Sequence, residues 1–198
     1  MQIISSGGVL MIPLLILLVW GLWIIYYKAV NLRPAKVLNP DAINEIERLL
    51  IARKIPEATA YCKQHQMPIT RIMQEGIINY EKSEAELKEV LEEAGRQEMP
   101  LIRSHMAALG TIASVSPLLG LLGTVLGMIS VFTTLSAESE INSSMLAGGI
   151  SEALVTTAAG MLVAVPTLVS YNYFVNRIQL LVVDMERVSL RLIAILKR

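Results

Sequence analysis

Charge is missing from three long stretches of this 198-residue chain. Residues 9–27 carry none, residues 104–137 carry none with histidine neutral, and residues 141–176 carry only Glu152. Each stretch meets or exceeds the roughly 20 residues needed to cross the hydrocarbon of a bilayer. Cysteine is nearly absent as well. Cys62 stands alone, which excludes an internal disulfide or a cysteine-based metal cluster from one chain, and neighbouring Glu57 and His65 offer no recognised ligand spacing, so Cys62 reads as a structural thiol. The apolar stretches contain no Cys, Asp or Lys, and His105 lies only at an edge. A nucleophile and a base at a shared depth are therefore lacking, and the chain is not expected to be an enzyme. Strand periodicity and internal repeats are also missing.

What is present is apolar. The chain is 54% hydrophobic and 17% charged, with a mean hydropathy of +0.54, too apolar for an ordinary soluble domain. The first stretch opens as MQIISSGGV without a basic region. It ends in Trp20, Trp23, Tyr26, Tyr27 and Lys28 rather than at a small-residue cleavage site, so it reads as an uncleaved span with interfacial aromatics and a cationic flank in water.

All 17 Lys and Arg residues lie from Lys28 to Arg103 or from Arg177 to Arg198. By the positive-inside rule those segments are cytoplasmic, while the N-terminus and the loop with Glu138 and Glu140 face outward. Basic residues of the middle segment are interleaved with acids, which argues against nucleic-acid binding.

The expected fold is an all-α membrane protein with three transmembrane helices and long cytoplasmic helical extensions. Its parts are an outer N-terminus at 1–8, spans at 9–27, 104–135 and 146–175, a cytoplasmic helical domain at 28–103, an outer loop at 136–145 and a helical tail at 176–198. In the cytoplasmic domain, Pro40 and Asp41 start a helix to Arg53, Pro56 one to Gln64, and Pro68 one to Tyr80. Ser83 and Glu86 form a capping box for a long helix that Pro100 can kink. In the tail, Ile178, Leu181, Met185, Val188, Leu192 and Ile195 alternate by three and four, a stripe that packs on the Ser83 helix or on a neighbouring subunit.

Glu152 is costly inside a span, roughly 2.5–3.5 kcal/mol on insertion scales, unless it has a partner, a cavity or a proton to move. Gly120, Gly123 and Gly127 in the second span, with Gly160 in the third, suit close helix packing, and Pro117 and Pro166 fall at similar depth. Thr124 lies eleven residues before Leu135, and Thr157 eleven after Leu146, which sets both roughly 16 Å below the outer ends, with Glu152 at roughly 9 Å. At 100° per residue, Thr157 is about 140° from Glu152, whereas Thr156 is about 40° away. Glu152 and Thr157 therefore cannot both point down one narrow pore.

SPLLGLLGTVLGM followed by GGISEALVTTAAGMLVAVPTLVSYNYF resembles the second and third spans of the MotA/TolQ/ExbB proton-channel family, the ExbB and TolQ branches above all. The layout is similar too, although MotA-type stators have four spans. The resemblance implies a homopentamer around the transmembrane helices of two ExbD-like or TolR-like subunits, driven by the proton motive force. It also implies a TonB-like or TolA-like energy transducer, contact with membrane lipid, and a place in the bacterial inner membrane with the N-terminus periplasmic and the C-terminus cytoplasmic. Protons are the transported ion, no cofactor is expected, and the titrating aspartate belongs to the partner. Matched by motif, Thr124 and Thr157 correspond to the pore threonines and Glu152 to the membrane glutamate. Thr156, where the family often has Ala, adds a hydroxyl that widens the polar lining or bonds back to its own helix. The role the resemblance implies is to energise TonB-dependent outer-membrane transport, and the alternatives are a TolQ-like role in envelope maintenance and cell division or a non-conducting membrane scaffold.

Overall fold

The computed structural model describes residues 8–137 and 143–198, with side chains described for 8–134 and 147–198. Glu138, Glu140 and most of the expected outer N-terminus lie outside the described residues. Among those described there are eight helices and no strand. They are α1 (Met11–Asn31), α2 (Pro34–Val37), α3 (Pro40–Ile51), α4 (Ile55–Gln64), α5 (Pro68–Ile78), α6 (Glu84–Ile102), α7 (Met106–Ala137) and α8 (Ser143–Leu196). Helices α1, α7 and α8 are long and apolar enough to cross a membrane. The chain forms two compact units, one of Met1–Tyr27 with His105–Tyr173, the other of Lys28–Ser104 with Phe174–Arg198.

The first unit is built from apolar helices whose inner faces bury Leu14, Ile24, Leu109, Ile112, Ala153, Val163 and Ala164. Leu118, Leu162 and Val169 are more than half exposed. Apolar side chains on both faces of a helix suit hydrocarbon better than water. Helix α1 extends four residues beyond the expected end at Tyr27, to Asn31. Trp23 stacks on Tyr27 at 5.6 Å between ring centroids, and both make T-shaped contacts with His105.

In the second unit, sequence punctuation fixes the helices. Pro40, Pro56 and Pro68 each lie in a first turn, where the missing amide costs nothing. Helices α3 and α5 stop two residues short of their expected ends, and Asn39 caps α3 by accepting from the amides of Asp41 and Ala42. Ser83 accepts from the Glu86 amide while Glu86 accepts from the Ser83 amide, so the capping box forms as read. Pro100 falls in the last turn of α6, which ends at Ile102 rather than running into the second span. The short helix α2 escaped the sequence reading.

The tail stripe packs within its own chain. Ile178, Leu181, Met185, Val188 and Leu192 are buried, and Ile195 is half-buried. Gly76 of α5 lies so close that an added Cβ would fall 2.8 Å from Leu91 Cδ2 and 2.9 Å from Leu192 Cδ2. Helices α5, α6 and the end of α8 therefore meet at one point.

Lys28 differs from its sequence reading. It was expected in water, yet it is 2% exposed, and its ammonium donates to the Ile102 carbonyl at 2.8 Å and to Ser104 Oγ at 3.4 Å. A helix C-terminus leaves carbonyls without amide partners, and a cation is well placed to satisfy one.

Candidate ion-pathway site

Helices α7 and α8 run antiparallel, and their glycines set how closely they approach. A Cβ on Gly160 would fall 2.6 Å from the Ser116 carbonyl oxygen and 3.0 Å from Gly120 Cα. One on Gly127 would fall 2.9 Å from Ala153 Cβ, and one on Gly123 would overlap the Thr156 methyl. Backbone meets backbone here, as small residues in membrane helices allow. Gly120, Gly123, Gly127 and Gly160 thus all lie in one interhelical seam. Pro117 and Pro166 lie inside α7 and α8 without ending either helix.

Each predicted hydroxyl is engaged. Thr157 Oγ1 donates across the seam to the Gly120 carbonyl at 2.8 Å. Thr124 Oγ1 donates to its own helix at Leu121, 2.6 Å away, and Thr156 Oγ1 to Glu152 O at 2.9 Å. The back-bonded option for Thr156 is therefore the one adopted, and the residue is 2% exposed, wedged against Gly123.

The register corrects one expectation. Thr157 lies opposite Gly120, one turn from Thr124, so the two threonines are staggered by up to ~6 Å rather than level. Counting from the ends of the spans gave the wrong alignment because glycine packing, not span length, determines where the helices lock.

Helical phase then sorts the polar residues onto two flanks of the seam. Gly120 meets Thr157 on one flank, and Gly123 meets Thr156 on the other. Thr124 lies about 40° beyond Gly120, and Glu152 about 40° beyond Thr156, each further out on its own flank. The Glu152 flank is the one α1 covers, since Gly21 of α1 packs against Ile112 and Thr167 on that side. Thr124 and Thr157 share the other flank.

Glu152 itself is exposed and borders a cleft of about 220 Å³. Its walls include Leu126, Gly127 and Ser130 of α7, Gly149 and Thr156 of α8, and residues 8–10 before α1. The separation of Glu152 from Thr157 agrees with the 140° read from the sequence. The N-terminal turn that meets the carboxylate had no sequence signal beyond a glycine in a short polar segment. Among the described residues no cluster of His, Cys, Asp or Glu could hold a metal ion.

Comparison with known proteins bears directly on this seam. Residues 64–187, which include all of α7 and α8 as far as residue 187, match the MotA/TolQ/ExbB proton channel family. The chain belongs to that family. A 172-residue stretch is 35% identical to the biopolymer transport protein ExbB-like 3 of Synechocystis, covering 85% of this chain and 81% of that protein. A 136-residue stretch is 31% identical to the biopolymer transport protein ExbB of Neisseria gonorrhoeae, 62% of each. The Tol-Pal system protein TolQ of Haemophilus influenzae is 40% identical over 79 residues, 40% of this chain and 35% of that protein. Within the MotA/TolQ/ExbB family the chain is of the ExbB/TolQ-like branch. This is a family of proton channel and transport proteins rather than enzymes.

Proposed function

We propose that this chain is the ring-forming subunit of an inner-membrane motor driven by the proton motive force, which with an ExbD-like partner energises TonB-dependent outer-membrane transport. The observation that carries the reading is the flank shared by Thr124 and Thr157, left uncovered by α1 within the chain. Five copies would turn these flanks toward two partner helices, each with an aspartate that picks up and releases a proton. A charged aspartate entering hydrocarbon must be protonated or met by fixed dipoles. Hydroxyls supply such dipoles without trapping the charge. One proton crossing 100 mV releases about 2.3 kcal/mol, so a few suffice to turn one subunit set inside the other. Lys and Arg placement supports a periplasmic N-terminus and a cytoplasmic C-terminus.

The ExbB role is favoured over the TolQ role by the longer matches to proteins named ExbB. Both roles are tested together in cells lacking the corresponding native subunit. Glu152→Ala and Thr157→Val are expected to abolish iron-siderophore uptake at unchanged protein level. Loss of detergent resistance instead would assign the chain to envelope maintenance, and normal behaviour in both assays would defeat the motor reading. Proton flux in liposomes, measured with and without the partner subunit, separates a motor from a scaffold.

A further inference from the structure

The chain approaches Glu152 from an unexpected side. Gly8 has φ of +63°, in the region that favours glycine, and its carbonyl accepts from the Met11 amide at 3.2 Å. The turn leads directly into α1, where Met11 is 6% exposed and Leu14 1%. Those two anchors fix the first turns of α1, and residues 8–10 line the cleft beside the seam. A Cβ built on Gly8 would overlap Glu152 Oε1 and stand 3.4 Å from its Cδ, so the carboxylate rests directly on the glycine backbone. Two independent demands therefore fall on one residue: a positive φ and the absence of a side chain.

We infer that Gly8 is a positioning residue for Glu152. Helical phase puts Glu152 on the α1 flank, and the Gly8 backbone is the stop against which its carboxylate lies there, holding it beside the cleft. This deepens the motor reading and rests on it for the use made of Glu152, although the contact itself does not. Any side chain at position 8 would push the carboxylate aside or lift the turn, and either movement would change where the charge lies within the α1 flank.

Two experiments test this. In isolated membranes, a short thiol-bridging bimane is applied to chains with cysteines at positions 8 and 152, or at 8 and 157, and intramolecular bridges are separated from intermolecular ones by mass. The 8–152 bridge is expected to form in roughly tenfold higher yield, since only that pair is held at high effective concentration. Equal yields, or no 8–152 bridge, would overturn the placement. In the second experiment, Gly8→Ala and Gly8→Asn are compared for motor output at matched protein level. Asn tolerates positive φ, so its effect isolates the added side chain. Both are expected to lower output about tenfold. In the Glu152→Asp chain, whose carboxylate is one methylene shorter, Gly8→Asn should lower output no further. Full output from Gly8→Asn in the wild-type chain, or the same loss in the Glu152→Asp chain, refutes positioning. The bridge needs neither partner nor gradient. A missing bridge with intact sensitivity to Thr157→Val therefore sinks only the positioning role, whereas insensitivity to Thr157→Val with the bridge present sinks only the motor.

Discussion

Thr157→Val separates function from stability at the seam, because the two effects differ greatly in size. Valine keeps the shape of threonine and removes the hydroxyl that donates 2.8 Å to the Gly120 carbonyl. That carbonyl sits inside α7 and keeps its own helical amide as a partner, so no buried acceptor is orphaned. Hydrogen bonds between membrane helices average about 0.6 kcal/mol in double-mutant cycles. For a protein of this size the loss corresponds to a melting shift of about 1–2 °C. The packing around the substituted methyl is unchanged.

The assay pairs thermal melting of the detergent-solubilised protein with motor output in cells, for Thr157→Val and Thr157→Ser. Valine should melt almost as wild type and give no output. Serine, which retains the hydroxyl, should give substantial output. A melting loss several times larger than 0.6 kcal/mol, or failure to accumulate in membranes, would show the hydroxyl to be structural and remove its claim to the ion pathway. Normal output from valine would refute the claim directly.

Three further outcomes follow from the packing and burial. Gly160→Ala drives a Cβ into the backbone of Ser116 and Gly120 and should lower stability by about 1–3 kcal/mol, whereas Gly148→Ala, with nothing within 4 Å, should be neutral or mildly stabilising in the same melting assay. Leu192→Ala empties the point where α5, α6 and α8 meet and should cost about 2–5 kcal/mol, seen as rapid proteolysis of the second unit in solubilised protein. Burial pushes the Cys62 thiol up to about 11, so folded chains should resist maleimide at pH 8 and react on unfolding. Because the fold favours the protonated thiol, its contribution to stability is intact below pH ~9 and is lost as pH rises from there toward 11, measurable as a falling melting temperature over that window.

The sequence was most legible where one physical term dominates over a short range. Uncharged stretches located all three membrane helices, Ser83 and Glu86 located the start of α6, and the alternation of Ile178, Leu181, Met185, Val188 and Leu192 located the buried face of the tail. It was least legible where a contact joins distant residues. Lys28 reads as a solvated flank because nothing local marks the Ile102 carbonyl, 74 residues away, as its partner. The stagger of Thr124 and Thr157 depends on which glycine meets which backbone, and the glycine spacing permits more than one register. Helical phase, by contrast, is local arithmetic, and it separates Glu152 from Thr157 with no long-range contact needed. What phase could not show is which flank α1 covers, and that decides which residues remain available to another chain.

The engaged state of the hydroxyls bears on how such a flank could serve a moving proton. Thr124 and Thr157 each give their single proton to a carbonyl, at Leu121 and Gly120, which leaves oxygen lone pairs as what they present outward. An accepting oxygen suits a protonated carboxylic acid, whose O–H needs a partner in hydrocarbon. To meet the ionised form, the Thr157 hydroxyl must rotate and break its bond across the seam, an exchange of about 0.6 kcal/mol. That is small beside the 2.3 kcal/mol released per proton at 100 mV, so a passing acid could be met in either state and still leave. A fixed amide donor or a lysine at the same place would favour the ionised form too strongly to release it. Glu152 would fail for the opposite reason, since one carboxylate beside another raises the cost of ionising either. Its place on the far flank, set by helical phase, keeps that repulsion out of the proposed path.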